Sequence, residues 1–191
     1  MKIIGIIGDR GSGKSALMTL LLKMDMEQHD RTVFSNYWLS FIDEDHYITF
    51  SEMALMPDYL RNCSIGMDEI HMWADARNFF SKKNADLAKL VTQIRKLGIN
   101  LYYTTQRFRY SDTRLRDQTD YIIFPEPIPP REVNGVWVEN LFKFDIQDAK
   151  TGEIIVRSRV FDATIMFEEK WYDTNEIIDF DNKKEVIKDE K

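Results

Sequence analysis

The sequence predicts an α/β fold, a mainly parallel sheet flanked by helices, and three observations predict it. The chain opens on the apolar run Ile3-Ile4-Gly5-Ile6-Ile7, followed at once by a glycine-bearing loop and a helix-forming stretch. Short apolar runs then alternate with helical patterns as far as Phe124, as in a sheet built from strand–helix–strand units. Beyond Pro130 the period changes to two, which marks a β-hairpin extension.

Each element has its own warrant. Lys2–Ile7 reads as a core strand, and Ala16–Gln28, rich in Leu, Met and Lys without Pro or Gly, as a helix. Thr32–Phe50 is aromatic and β-branched and predicts a strand with an extended excursion, broken at Asp43-Glu44-Asp45. Ser51–Leu60 predicts a short helix capped by Ser51 and kinked or stopped at Pro57. Cys63–Met67 is a short strand that ends in Asp68-Glu69. In Ser81–Leu97 the positions Leu87, Leu90, Val91, Ile94 and Leu97 recur at helical spacing, and Gly98 supplies the C-terminal stop. Ile99–Thr105 and Tyr121–Phe124 are the next strands, and Pro125–Pro130, with its four prolines, reads as a connector. Val136, Val138, Phe142, Phe144 and Ile146 alternate with polar residues, and a turn at Lys150-Thr151-Gly152 leads into Ile154–Phe161. These elements divide the chain into a core over 1–124, an extension of the same domain over 125–180 and a charged tail over 181–191.

Composition sets bounds. With 191 residues and 43% apolar content the chain can bury one proper core. A single cysteine, Cys63, excludes a disulfide scaffold and thiolate metal clusters. No 18-residue apolar span is present and the first residues are a core strand, so no membrane segment or signal peptide is expected. A cytoplasmic location follows as the expectation, that of a host cell if the chain is viral. The net charge of −6 argues against nucleic acid, but its distribution argues for it. Between Arg77 and Arg116 ten Lys/Arg face only Asp86 and Asp112, about +8 there against about −14 elsewhere. A solvated helix face would explain the same charges.

The loop Gly8-Asp9-Arg10-Gly11-Ser12-Gly13-Lys14-Ser15 has the spacing G-x-x-x-x-G-K-S. Glycines there let successive N–H groups point inward at phosphates, Lys14 neutralises phosphate oxygens, and the Ser15 hydroxyl ligates Mg²⁺. The following helix, from Ala16, adds a favourable dipole. Such a loop needs a carboxylate from the end of a neighbouring buried strand. Asp68, 54 residues after Lys14, is the candidate for Mg²⁺, and Glu69 for orienting or deprotonating the attacking water. Gln106, at the end of the strand after Leu101-Tyr102-Tyr103-Thr104-Thr105, is an ordinary loop amide or a group that bonds the γ-phosphate or the water.

The run Ile94-Arg95-Lys96-Leu97-Gly98-Ile99-Asn100-Leu101-Tyr102-Tyr103-Thr104-Thr105-Gln106-Arg107, with Asp112-Thr113-Arg114-Leu115-Arg116-Asp117-Gln118-Thr119-Asp120, resembles the FtsK/HerA superfamily of DNA motors. It is nearest to the small Zot-like and viral genome-packaging branch, over about residues 1–124. The resemblance implies a RecA-like P-loop NTPase core, ATP as fuel, a homo-oligomeric ring, usually a hexamer, and double-stranded DNA in its channel. It implies Gln106 as the sensor glutamine and Arg95 as an arginine finger reaching a neighbour's nucleotide. Arg95 also sits where any cation favours a helix end, and Arg114 and Arg116 are alternative fingers or partners of Asp112 and Asp117. His71 and Trp73 read as packing residues. Asn182-Lys183-Lys184-Glu185 departs from a guanine-reading motif in its fourth residue and excludes that reading.

The leading function is an ATP-hydrolysing DNA translocase that packages or moves a viral or plasmid genome, with a capsid or membrane-associated virion protein as partner. A small-molecule kinase on the same core would leave Thr105-Gln106 and the basic segment unexplained. A Zot-like assembly or export protein that uses nucleotide only as a switch is the third reading.

Overall fold

The computed structural model describes residues 1–55, 59–70 and 91–173. Its elements alternate as expected: β1 (Ile3–Ile7), α1 (Lys14–His29), β2 (Val33–Ser35), α2 (Phe50–Ala54), β3 (Ser64–Met67), helical residues 91–97 (α3), β4 (Asn100–Thr105) and α4 (Thr113–Gln118). There follow β5 (Tyr121–Pro127), β6 (Arg131–Val133), β7 (Val136–Val138), β8 (Leu141–Asp148), β9 (Ile154–Asp162) and α5 (Thr164–Glu168). Seven strands form one sheet in the order β2-β3-β4-β1-β5-β8-β9. The first five are parallel, and β8 and β9 continue the sheet antiparallel. The result is a mainly parallel sheet flanked by helices, with a β-hairpin extension joined edge-on to it.

The period-two pattern of the strands fills both faces. On one face Ile65, Leu101 and Tyr103 pack with Phe50, Met53, Ile94 and Leu115. On the other, Ile6, Tyr102 and Ile123 pack with Leu17, Met18 and Leu22 of α1. Gly66 lets α1 lie close to β3, since a β-carbon there would fall 2.5 Å from Leu22 Cδ1. That close approach brings the start of α1 to the end of β3.

Several local expectations are corrected. The cap of α2 is Thr49, two residues before Ser51, and it forms a complete capping box with Glu52. The box supplies both orphan N–H groups with partners, which Ser51 inside the first turn cannot do. Thr32–Phe50 gives only the three-residue strand β2, followed by a 3₁₀ turn over Glu44–His46. The proline connector is instead strand: β5 runs through Pro125 to Pro127. The Ile128 N–H donates to the Leu141 carbonyl and that of Ala149 to the Asp120 carbonyl, so even-numbered residues face β8. The odd-numbered prolines thus turn their missing donors to the other side, where pairing with β1 reaches only Ile123. The alternation from Val136 is broken at Glu139-Asn140. Asn134 and Gly135 take positive φ of 52° and 81° and close the ribbon β6–β7 instead, and the hairpin proper starts at Leu141.

Leu87 and Leu90 of the expected helix lie outside the described residues. So do Pro57, His71, Trp73, the cations Arg77, Lys82, Lys83 and Lys89, and the tail over 181–191. Among the described residues no helix is long and apolar enough to cross a membrane.

Candidate nucleotide site

The carboxyl ends of β1, β3 and β4 lie side by side, because Ile7 pairs with Thr105 and Met67 with Tyr103. After Ile7 the backbone turns back on itself. The Ser12 N–H donates to the Asp9 carbonyl at 3.2 Å, and Gly11 and Gly13 take φ of 75° and 91°. Such left-handed angles strain any residue with a β-carbon. At Gly13 a β-carbon would also fall 2.5 Å from Phe142 Cδ1. The loop therefore needs its glycines for shape and for contact. Lys14 begins α1, is buried, and gives its Nζ to the Asp9 carbonyl at 3.0 Å. Ser12 Oγ is buried inside the loop with no partner among the described residues, the kind of unmet polar atom that a bound anion would satisfy.

The carboxylate of Asp68 meets this loop. Ser15 Oγ donates to Asp68 Oδ2 at 2.8 Å, and Thr104 Oγ1 donates to Asp68 Oδ1. Behind it, Asn36 holds the backbone: the Asp68 N–H donates to Asn36 Oδ1 at 2.7 Å, and Asn36 Nδ2 donates to the Asp68 carbonyl at 3.1 Å. Glu69 then turns into the left-handed region at φ 51°, unusual for a residue with a side chain, and its N–H donates to Thr104 Oγ1 at 2.8 Å. Thr104 thus holds the Asp68 carboxylate and the Glu69 backbone. Strain held in this way concentrates at functional sites.

Around these groups lies a cavity of about 320 Å³. Arg10, Gly11, Gly13, Lys14, Ser15 and Ala16 form its floor, and Asp68 and Glu69 one side. Tyr37 and, from the C-terminal extension, Phe142, Phe167, Tyr172 and Asp173 form the rest. Burial and the nearby Asp68 carboxylate push the Tyr172 phenol above its ordinary range. The Ser15 hydroxyl and the Asp68 carboxylate are hard oxygen donors, the set that suits Mg²⁺. They would hold such an ion, directly or through water.

The structure brings Gly8–Ala16, Asp68 and Glu69 together. Gln106 follows Thr105, whose carbonyl receives the Gly8 N–H at 3.4 Å, so it stands beside the loop, half-buried, outside the cavity lining. Arg95 is not brought to this site. Its Nη2 lies 2.7 Å from Asp120 Oδ1, and the other oxygen of Asp120 receives the Ile3 N–H at 2.9 Å. Arg95 therefore stands at the amino end of the sheet, opposite the loop of its own chain. Arg114 and Arg116 lie on α4. The Asp112 carboxylate caps that helix at the Arg114 N–H, 2.8 Å away, and Arg116 Nη2 donates to Thr113 Oγ1 at 3.0 Å. Arg107 and Arg109 are exposed just beyond Gln106.

Sequence reasoning missed Asn36, Thr104 and the aromatic residues of the extension. Thr104 was detectable as the inward hydroxyl beside Gln106 in β4. Asn36 gave no local signal, since its role comes from lying beside β3.

No family model and no curated protein matches the sequence. Solved structures do match. The genome packaging NTPase B204 of Sulfolobus turreted icosahedral virus 2, in complex with ATP-γS, superposes with a TM-score of 0.55 at 15% identity, covering 82% of this chain and 96% of that one. Its AMPPCP complex gives a TM-score of 0.58 at 13% identity, covering 84% and 98%. The N-terminal domain of zonular occludens toxin from Neisseria meningitidis gives 0.61 at 17% identity, covering 90% and 98%. The chain shares the fold of these proteins, a genome packaging NTPase among them, over most of its length.

Proposed function

We propose that the chain is an ATPase that works as an oligomeric ring and moves double-stranded DNA, packaging or transporting a viral or plasmid genome. The observation that carries this reading is the joined set Lys14, Ser15, Asp68 and Glu69 around one cavity, with Asp68 bonded to Ser15 and Thr104 bonded to the Asp68 carboxylate and the Glu69 backbone. The fold shared with a genome packaging NTPase supports the DNA-handling part.

In this reading Lys14 leaves the Asp9 carbonyl for the β- and γ-phosphate oxygens, and the loop N–H groups hold the rest. Ser15 and Asp68 would hold Mg²⁺, which would supply compensation for the charge that builds up on the phosphates and on departing ADP. Glu69 accepts the proton of the attacking water, and its constrained backbone keeps its carboxylate at the cavity. Gln106, beside Gly8, orients that water or reports the γ-phosphate. Arg107 and Arg109 give exposed cations at the same edge for DNA phosphates. Arg95 has no step within its own site; acting in a neighbour's site would require it to leave Asp120.

The test is turnover of ATP with and without duplex DNA, read beside the native mass. Stimulation by DNA in an assembled ring is expected. A turnover indifferent to DNA would favour the nucleotide-switched assembly reading, which the match to the zonular occludens toxin domain also supports. A monomer that phosphorylates a small acceptor would overturn both.

A further inference from the structure

The cavity carries aromatic rings for which phosphate chemistry has no use. Phe142 comes from β8 and Phe167 from α5, and both line the cavity together with Ala16, the residue that follows Ser15. Phe142 lies directly against Gly13 and is stacked from behind by Phe161, with centroids 5.3 Å apart and planes at 19°. Phe167 has Tyr172 at 6.0 Å. Both rings are only partly buried and both line the cavity.

The segment that carries them is tied down at several points. Tyr172 bridges to Leu39, the Ser40 N–H donates to the Trp171 carbonyl at 3.0 Å, and Lys23 of α1 lies 4.7 Å from the Trp171 ring. The wall is therefore built into the fold. The loop residues Gly11–Ala16 and these rings line one cavity, so a nucleoside triphosphate with its phosphates on the loop has the aromatic wall in the same space.

We propose that Phe142 and Phe167 receive the nucleoside, with the base stacked against the aromatic wall of the C-terminal extension. The proposal rests on the phosphate-loop reading and names the part of the nucleotide that the extension recognises. Every base has a π-face, so stacking is tolerant of base identity and strong enough to matter. The wall therefore binds purine triphosphates with little discrimination.

The experiment compares the full chain, Phe167→Ala, Phe142→Leu and Phe167→Trp by calorimetry with Mg²⁺. The probes are a non-hydrolysable ATP analogue, its GTP counterpart and inorganic tripolyphosphate, which has phosphates but no nucleoside. Phe167→Ala should weaken both nucleotides by roughly tenfold, as expected for one lost stacking partner, and leave tripolyphosphate unchanged. Phe142→Leu should act in the same direction, and Phe167→Trp should bind nucleotides like the unsubstituted chain. Equal losses for nucleotide and tripolyphosphate would make the rings a support of the loop and overturn the proposal. Unchanged nucleotide affinity in both Phe167→Ala and Phe142→Leu would overturn it as well. If the unsubstituted chain binds neither nucleotide nor tripolyphosphate, the phosphate-loop reading itself fails and takes this proposal with it.

Discussion

The two ends of the central sheet carry buried charge in opposite ways. At the amino end, Asp25 of α1 accepts from Ser64 Oγ at 2.5 Å, from Asn100 Nδ2 at 3.0 Å and from Tyr102 OH at 3.0 Å. Arg31 beside it gives its guanidinium to the Cys63 and Gly98 carbonyls and to Ser64 Oγ. Arg95 and Asp120 close the same edge. Each of these groups spends its hydrogen bonds inside the fold. At the carboxyl end, Lys14, Ser15, Asp68 and Glu69 surround a cavity, Ser12 Oγ is buried without a partner among the described residues, and Glu69 sits at a positive φ. A buried polar network that is fully satisfied rigidifies a core. One arranged around open space is prepared for a ligand. The contrast separates residues whose loss should cost stability from those whose loss should cost binding or chemistry.

The largest effect expected is at the carboxyl end. Lys14→Ala should abolish ATP binding in a folded chain, as measured by calorimetry, because it removes the buried ammonium at the loop. Undiminished affinity would break the comparison at its strongest point. Next, Glu69→Gln should leave ATP bound and lower hydrolysis by roughly 10²–10⁴, read in a steady-state phosphate-release assay. Near-normal turnover would move the base elsewhere and leave Asp68 with the metal alone.

At the amino end the signature reverses. Asp25→Ala strands the buried donors of Ser64 and Tyr102 and the half-buried one of Asn100, and it should destabilise the chain by about 3 kcal/mol in urea unfolding, while nucleotide affinity of the folded fraction stays the same. A loss of affinity without a loss of stability would show that the two ends are coupled. Replacing Arg107 and Arg109 together by Ala should lower the salt slope of duplex binding by about one unit per lost phosphate contact. An unchanged slope would return those cations to the role of a solvated face.

The smallest effect is expected from Arg95→Ala. Its ion pair is half-exposed on the arginine side, 47%, and such pairs contribute at most about 1 kcal/mol. ATP binding should not change. Loss of DNA-stimulated hydrolysis, recovered on mixing with Lys14→Ala, would place Arg95 in a neighbour's site and sharpen the difference between its resting place and its working one.

Cysteine chemistry fits the same division. Burial pushes the Cys63 thiol up to about 11, so the lone cysteine at the amino end is a packing residue rather than a reactive one.

The sequence by itself determined the phosphate loop, the strand before it, the helix after it and the acid pair at the end of β3. These depend on local conformation: glycines at positive φ, an apolar run, and two carboxylates placed by the end of a strand. The capping box at Thr49 and Glu52 was equally local and could have been read from its spacing. Only the tertiary structure decided which distant groups complete the site. Asn36 and Thr104 reach Asp68 because β2 and β4 flank β3, a consequence of strand order that no local pattern encodes. Phe142 and Phe167 reach the loop because the hairpin β8–β9 adds to the sheet beside β5 and returns its aromatic residues over α1. Arg95 is drawn to Asp120 in the same way, through a contact between elements 25 residues apart. Such contacts depend on how elements pack once their apolar faces are buried, and the spacing along the chain does not hold that information.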